Sequence, residues 1–272
     1  MSDKELYEFT IGDDGLDYDI LDKAFNPATQ QFLLKNGLKP GLKVLDVGCG
    51  AGVMTAWMAS IVGKSGRVTA IDNSAEQLSV AQRKIEGLGL KNVSTQVLSA
   101  YDIGQVNQQY DLIYCRFLLH HLHKPRQAIQ AFHDTLKPGG LYIGEEGIIS
   151  AMFSYPQSFA WQGYTPELSE IKEHEGEKRD GDFGLKLFHA CKKMGFSIGD
   201  CALQQPIFWT QEQKQGLLEG LLAFKETELA HGMSEQDWQR KYEETQRLID
   251  DDEQLIGFYG SCQVAAQKAQ TT

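Results

Sequence analysis

The chain has 272 residues, 42% of them hydrophobic, and a formal net charge of −11. Acids are spread along its whole length and no basic run exceeds Lys192-Lys193, which excludes nucleic acid and anionic membrane surfaces as expected partners, since both attract Lys and Arg clusters. No apolar run approaches the roughly 20 residues of a membrane span, and Met1-Ser2-Asp3-Lys4-Glu5-Leu6 lacks the features of a secretion signal, so a cytoplasmic protein without membrane insertion is expected.

Residues 18–36 read as helical, with Ile20, Leu21, Phe25, Phe32 and Leu33 as apolar positions and Pro27 expected to start a second helix. Residues 43–47 are the first strand. It lies in Val44-Leu45-Asp46-Val47-Gly48-Cys49-Gly50-Ala51-Gly52, an apolar run that ends in a glycine-rich turn, and Val53-Met54-Thr55-Ala56-Trp57-Met58-Ala59 continues as a helix. Strand, tight turn and helix make a nucleotide-sized site: the glycines admit unusual backbone angles and close approach, and the helix start offers unpaired N–H groups. A dinucleotide fold wants Gly-x-Gly-x-x-Gly or Ala facing phosphates. Here the third glycine falls one place early, at Gly52, and Asp46 stands just before the turn. A carboxylate there repels a pyrophosphate and suits a ligand with a positive end.

Gly66-Arg67-Val68-Thr69-Ala70-Ile71-Asp72 is the second strand, and it ends in an acid about twenty residues beyond the turn, where such an acid binds ribose hydroxyls. Asn73-Ser74 caps a helix that runs to about Glu86. Strand three is 93–99 and strand four is Tyr110-Asp111-Leu112-Ile113-Tyr114-Cys115. A helix over 125–136 is closed by Lys137-Pro138-Gly139-Gly140, and Leu141-Tyr142-Ile143-Gly144 opens strand five. This alternation predicts an α/β protein with a parallel sheet covered by helices on both faces.

A long connection over 150–184 carries Met152, Phe153, Tyr155, Phe159, Trp161 and Tyr164 and is expected to act as a lid. Its aromatic residues either line a pocket or form a small core of their own. A helix over 185–194, a strand over 197–209, helices over 211–231 and 234–256 and a closing strand over 258–266 follow. The expected organisation is an N-terminal helical segment and binding core (1–149), a lid connection (150–184), a returning helix and strand (185–210), a helical cap (211–256) and a closing strand with its tail (257–272).

Cys49, Cys115, Cys191, Cys201 and Cys262 are odd in number, widely spaced and without Cys-x-x-Cys, which argues for reduced thiols. The polar stretch around His174 (167–182) suits a solvated helix or lid better than a metal site, and Asp250-Asp251-Asp252-Glu253 reads as a solvated helix face. No metal is expected.

Taken together these residues resemble the class I S-adenosylmethionine-dependent methyltransferases. Asp46 with Gly48-Cys49-Gly50-Ala51-Gly52 is similar to their first motif. Tyr110-Asp111-Leu112-Ile113, then Leu119-His120-His121-Leu122 and Pro125, is similar to their fourth-strand region, and Leu136-Lys137-Pro138-Gly139-Gly140-Leu141-Tyr142-Ile143 to the turn before strand five. The likeness covers 37–147 and is to the small-molecule group that includes the ubiquinone and menaquinone biosynthesis methyltransferases. It implies a doubly wound, Rossmann-like, mostly parallel seven-stranded sheet with an antiparallel last strand. Helical lid insertions are part of the same expectation, with the cap set between the two strands of the closing hairpin.

The resemblance also implies S-adenosylmethionine as cofactor, held by Asp46, Gly48, Cys49, Gly50, Asp72, Asn73, Gln77, Ser99, Ala100, Cys115 and Arg116. Many members carry Asp-Ala after strand three, where the carboxylate reaches adenine. Ser99-Ala100 stand there in this chain, and Asp102 follows, so either Ser99 with the Ala100 backbone or Asp102 takes that role. Arg116 is the candidate partner of the methionine carboxylate. His120, His121, Glu145 and Glu146 are the available acids and bases, with His121 and Glu145 the chosen catalytic candidates; consecutive strand residues face opposite ways, so at most one of the glutamates meets the ligand. The expected reaction is in-line methyl transfer to a small, apolar or aromatic acceptor with water excluded. An NAD-dependent oxidoreductase and a noncatalytic S-adenosylmethionine-binding protein are the rivals, and a homodimer is left open.

Overall fold

The computed structural model describes residues 19–161, 180–223, 225–230 and 233–270. Seven strands form one sheet in the order β3 (Val93–Val97), β2 (Arg67–Asp72), β1 (Lys43–Val47), β4 (Tyr110–Arg116), β5 (Leu136–Ile148), β10 (Gly260–Gln267), β7 (Ser197–Gln204). The first five are parallel to one another, and β10 is antiparallel to both β5 and β7. Four of the five residues of β1 are buried, as a central strand covered on both faces requires. Chain order reverses between β1 and β4, which opens a crevice beyond their carboxyl ends.

Two apolar layers fill the space on either side. One joins Phe32 and Leu33 of α1 (Asp19–Lys35) and Met58 and Val62 of α2 (Val53–Val62) to Val44, Leu112 and Tyr114 of the sheet. The other joins Ile129 and Phe132 of α4 (Pro125–Thr135) and Leu187 of α5 (Gly184–Lys193) to Ile113, Tyr142 and Val264. Between them in sequence, α3 (Ala75–Gly87) begins at the Ser74 cap, whose Oγ accepts from the Gln77 N–H at 3.2 Å. The doubly wound sheet with an antiparallel strand is the expected architecture.

Several boundaries differ from expectation. The first helix is continuous through Pro27. A proline removes one ladder bond, but burial of Phe25, Thr29, Phe32 and Leu33 on both sides of it holds a single helix. The fifth strand begins at Leu136, so Lys137-Pro138-Gly139-Gly140 is a distorted strand entry, with Gly139 at φ 76. Pairing explains this: Leu136 lies opposite Tyr110, and the Gly140 carbonyl accepts from the Lys268 N–H at 2.9 Å. The strand expected over 197–209 divides at Gln205-Pro206, because proline cannot donate to the ladder. Its end becomes β8 (Ile207–Phe208) of a second antiparallel sheet, β6 (Phe153–Tyr155)-β9 (Leu255–Gly257)-β8.

The segment between β7 and β10 carries α6 (Gln211–Ala223), α7 (Lys225–Ala230) and α8 (Glu235–Ile249). The last helix ends before Asp250-Asp251-Asp252-Glu253, which forms a turn into β9 and not the expected helix face. Trp161, Phe208, Leu217, Leu248 and Ile256 make a separate small core, and Trp161 Nε1 donates to Thr245 Oγ1 at 3.1 Å. Trp161 thus belongs to the cap's own packing, while Phe153 and Tyr155 are exposed. Tyr164, His174 and His231 lie outside the described residues. Among the described residues no helix is long and apolar enough to cross a membrane, and no cluster of three His, Cys, Asp or Glu side chains suits a metal ion.

Candidate active site

The turn after β1 is folded back onto the end of β2. The N–H groups of Gly48 and Cys49 both donate to the Ile71 carbonyl, at 2.8 and 3.0 Å, and the Gly50 N–H donates to Asp72 Oδ2 at 2.9 Å. Gly48, Gly50 and Gly52 all have positive φ (70, 51 and 76), a conformation that side chains resist. Gly52 also allows close helix packing: a Cβ there would lie 2.8 Å from Ala81 Cβ. The other oxygen of Asp72 accepts from the Ser74 N–H at 2.9 Å, and burial raises the pKa of this carboxyl. Each Asp72 oxygen keeps a lone pair for a ligand hydroxyl.

A shallow cleft opens beside this turn. Asp72, Asn73 and Ser99 give it a polar edge, and Leu98, Ala100, Leu118 and Leu122 give it apolar walls with Gly48 at the base. That is the lining an aromatic base with a hydroxylated sugar requires. Asp102 is exposed and outside the cleft lining, whereas Ser99 and Ala100 are in it. Gln77 is 5% exposed, its Oε1 is buried and receives no hydrogen bond among the described residues, and it lies 3.9 Å from where a Gly50 side chain would begin. An orphaned acceptor at the glycine turn is a group that a ligand donor completes.

At the tip of β1, Asp46 is 2% exposed, and Thr55 Oγ1 donates to its Oδ2. Burial pushes this carboxyl from its ordinary 3.8 up to about 7; the Thr55 hydrogen bond and Arg116 oppose the rise, and Asp72 adds to it. Tyr114, paired with Asp46 across the ladder, has a buried hydroxyl with no hydrogen-bond partner among the described residues. The tip of β1 therefore holds a carboxyl and, opposite it in the ladder, a hydroxyl that a ligand cation or donor would satisfy.

Arg116 is turned toward α1. Its Nη1 donates to Asn26 Oδ1 at 2.7 Å and to Thr29 Oγ1 at 3.3 Å, and its Nη2 pairs with Asp22 at 3.3 Å. Glu145, opposite Arg116 in the ladder, is 1% exposed; its two oxygens accept from Thr29 Oγ1 at 2.5 Å and Ser261 Oγ at 2.6 Å. Glu146 points to the other sheet face. It accepts from the N–H groups of Leu118, Leu119 and His120 at 3.1, 2.8 and 3.3 Å, and its Oε2 lies 2.7 Å from His120 Nδ1. His121 is the neighbour of that pair, its ring centroid 3.9 Å from that of His120.

An aromatic group borders the same end of the sheet. Phe117 has φ 52, rare for a bulky side chain, and its N–H donates to the Glu145 carbonyl at 2.9 Å. Its ring meets Phe25 edge-on at 5.0 Å and Tyr259 at 5.7 Å, and Tyr259 stacks on Phe25 at 5.2 Å. Sequence reasoning missed Phe117, Thr55, Leu118 and the His120–Glu146 contact; only the last had a signal, in the four acids and bases already singled out.

The Cys115 side chain is turned away from the glycine turn. It is fully buried on the α4 and α5 side, with Sγ 3.1 Å from the Tyr142 hydroxyl, and burial drives its pKa well up. Strand alternation is the reason, since Tyr114 and Arg116 take the opposite face. Cys49 sits in the turn itself, its thiol pKa raised by burial and by Asp46 and Asp72.

Residues 44–140, about a third of the chain, match the methyltransferase domain family. An uncharacterized protein of Synechococcus is 40% identical over 100 residues, covering 36% of this chain and 24% of its own. A demethylmenaquinone methyltransferase of Bacillus mycoides is 30% identical over 137 residues, covering 50% of this chain and 56% of its own. The chain thus spans between a quarter and just over half of the length of these curated relatives. In fold, the YcgJ protein from Bacillus subtilis is similar with a TM-score of 0.60 at 17% identity, over 90% of this chain and all of that one.

Proposed function

We propose that this chain, which carries a class I S-adenosylmethionine-dependent methyltransferase domain, moves the sulfonium methyl of that cofactor to a small, apolar or aromatic acceptor. When bound, the cofactor supplies a methyl group already activated on a positive sulfur. The protein's work is then placement and exclusion of water. Asp46 would face the ammonium of the cofactor and Asp72 its ribose hydroxyls, with adenine against Ser99, Ala100 and the leucine walls of the cleft. Arg116, anchored to α1, is proposed to steady the methionine end, and Glu145 to hold Thr29 and Ser261 beside it.

The carrying observation is the buried Asp46 carboxylate before the glycine turn, with its pKa lifted to about 7. A phosphate-bearing cofactor would meet repulsion there; an ammonium supplies the missing countercharge. The aromatic rings of Phe25, Phe117 and Tyr259 support an apolar or planar acceptor, and the name of the Bacillus mycoides relative is in keeping with one. With a net charge of −11, a small molecule is a better acceptor than a nucleic acid. Calorimetry on ligand-stripped protein tests the reading: heat with S-adenosylmethionine and S-adenosylhomocysteine and none with NAD is expected. Silence with both sulfur compounds would overturn it.

A further inference from the structure

We infer that His120 is the base that receives the acceptor's proton, and that Glu146 positions it. The acceptor is then an oxygen or carbon acid, such as a phenol or an enolisable carbonyl compound. This rests on the methyl-transfer reading above and concerns the other half of the same site.

The geometry begins with Glu146. Its side chain is fully buried, and three successive backbone N–H groups, those of Leu118, Leu119 and His120, converge on it at 2.8–3.3 Å. The oxygens of a carboxylate gather such a nest because they accept hydrogen bonds. The contact at 2.7 Å therefore places a proton on His120 Nδ1 and leaves the lone pair of the neutral ring on Nε2. No hydrogen bond to Nε2 is made among the described residues, and the His120 side chain keeps 12% exposure. Glu145 does not share this position: it is 1% exposed and turned to the other sheet face, toward Thr29 and Ser261 and away from His120.

Position agrees with chemistry. His120 lies in the short turn directly after β4, and Glu146 on the adjacent β5, both at the carboxyl end where ligands bind. Leu118, two residues before His120, is a wall of the cleft. Phe117, whose ring lies 6.3 Å from that of His120, puts an aromatic side chain beside it. The described end of the long connection closes over the same turn, through the Asp180 N–H to the His120 carbonyl at 3.3 Å.

A base is needed only by some acceptors. An amine attacks with a free lone pair and a thiol ionises readily, but a phenol or a carbon acid must lose its proton as the new bond forms. In the step proposed, the acceptor's electron pair forms the bond to the methyl carbon while the carbon–sulfur bond breaks, its pair remaining on sulfur as a neutral thioether. The acceptor's proton passes to His120 Nε2, and the imidazolium formed is neutralised by Glu146.

The test combines an acceptor screen with histidine NMR. The holoprotein with S-adenosylmethionine is offered phenols and 1,3-dicarbonyl compounds in one arm and amines and thiols in the other, with methylated products read by mass spectrometry. Products from the first arm are expected. His120→Ala should lower kcat by about 10²–10⁴-fold with S-adenosylhomocysteine affinity unchanged. His120→Asn keeps a donor toward Glu146 and should fold like the wild type yet be equally slow. Long-range ¹⁵N spectra of the S-adenosylhomocysteine complex should show the neutral His120 ring protonated at Nδ1, and Glu146→Gln should abolish that preference. Retained turnover in His120→Asn, a proton on Nε2, products only from amines or thiols, or a wholly unreactive screen each overturns the assignment. Failure of wild-type protein to bind S-adenosylhomocysteine would instead strike the underlying methyl-transfer reading.

Discussion

Replacing Asp46 with Asn should make the ligand-free protein more stable and the cofactor weaker. The carboxyl rises from an ordinary 3.8 to about 7 on folding, chiefly through burial. At about 1.4 kcal/mol per factor of ten, ionising it inside the fold costs about 4 kcal/mol. The sign follows from which state releases its proton first. Below about pH 4 the group is protonated in both states and contributes nothing. As pH rises toward 7 the unfolded chain has ionised and the folded one has not, so stability falls across that window and the deficit persists above it. Asn carries no charge and still accepts the Thr55 hydroxyl, so Asp46→Asn should recover about 2–4 kcal/mol at pH 8 and nearly nothing at pH 4. Urea denaturation of stripped protein at the two pH values measures this. Calorimetry should show S-adenosylmethionine binding weakened at least ~10-fold in the variant, a loss of about 1.4 kcal/mol or more, and weakened in the wild type as pH falls through 7. An Asp46→Asn variant that is less stable at pH 8 and binds as well as the wild type would refute the reasoning.

Gly52→Ala combines a left-handed φ of 76 with a methyl 2.8 Å from Ala81 Cβ; the two penalties sum to about 2–5 kcal/mol, and an unchanged thermal midpoint would contradict the turn geometry. Gln77→Leu removes an acceptor that no donor reaches among the described residues. Stripped protein should hold or gain about 1–2 kcal/mol in denaturation, while its affinity for S-adenosylhomocysteine should fall in calorimetry; a loss of stability with unchanged affinity would mean the amide serves the fold alone. Glu145→Gln leaves Thr29 and Ser261 facing a neutral group. Exchanging two charge-assisted hydrogen bonds for neutral ones should cost about 2 kcal/mol, read as a lower urea midpoint.

The central strands and the cofactor turn were legible because their signals are local. Val44-Leu45-Asp46-Val47 runs straight into Gly48, Gly50 and Gly52, and each glycine has the positive φ that its place in the motif demands. Asp72 was legible for the same reason, at the end of a short apolar strand. The cap was not. Whether 197–209 is one strand or two depends on Pro206 and on Ile256, a residue far along the chain that pairs with Phe208. The straight passage of α1 through Pro27 depends on a sheet face that the helix sequence does not reveal. Periodicity reports that a residue is buried; it does not name the surface that buries it.

The choice between Glu145 and Glu146 shows where that limit falls on function. Alternation along β5 says that the two carboxylates face opposite ways, and nothing in the segment itself says which way leads to the proposed base. Long-range partners decide. Thr29 and Ser261, each 116 residues distant, take the oxygens of Glu145 on the α1 side. On the other side, the turn between β4 and α4 brings three N–H groups and His120 down onto Glu146. The hand of the parallel crossovers fixes which helices cover which face, and so it fixes which glutamate the turn can reach. His121 and Glu145, adjacent in sequence to the pair that meets, are parted from it by one residue on the strand and one in the turn. A single step along β5 reverses the direction of a side chain, which is why the assignment needed the sheet and its neighbours to be in place.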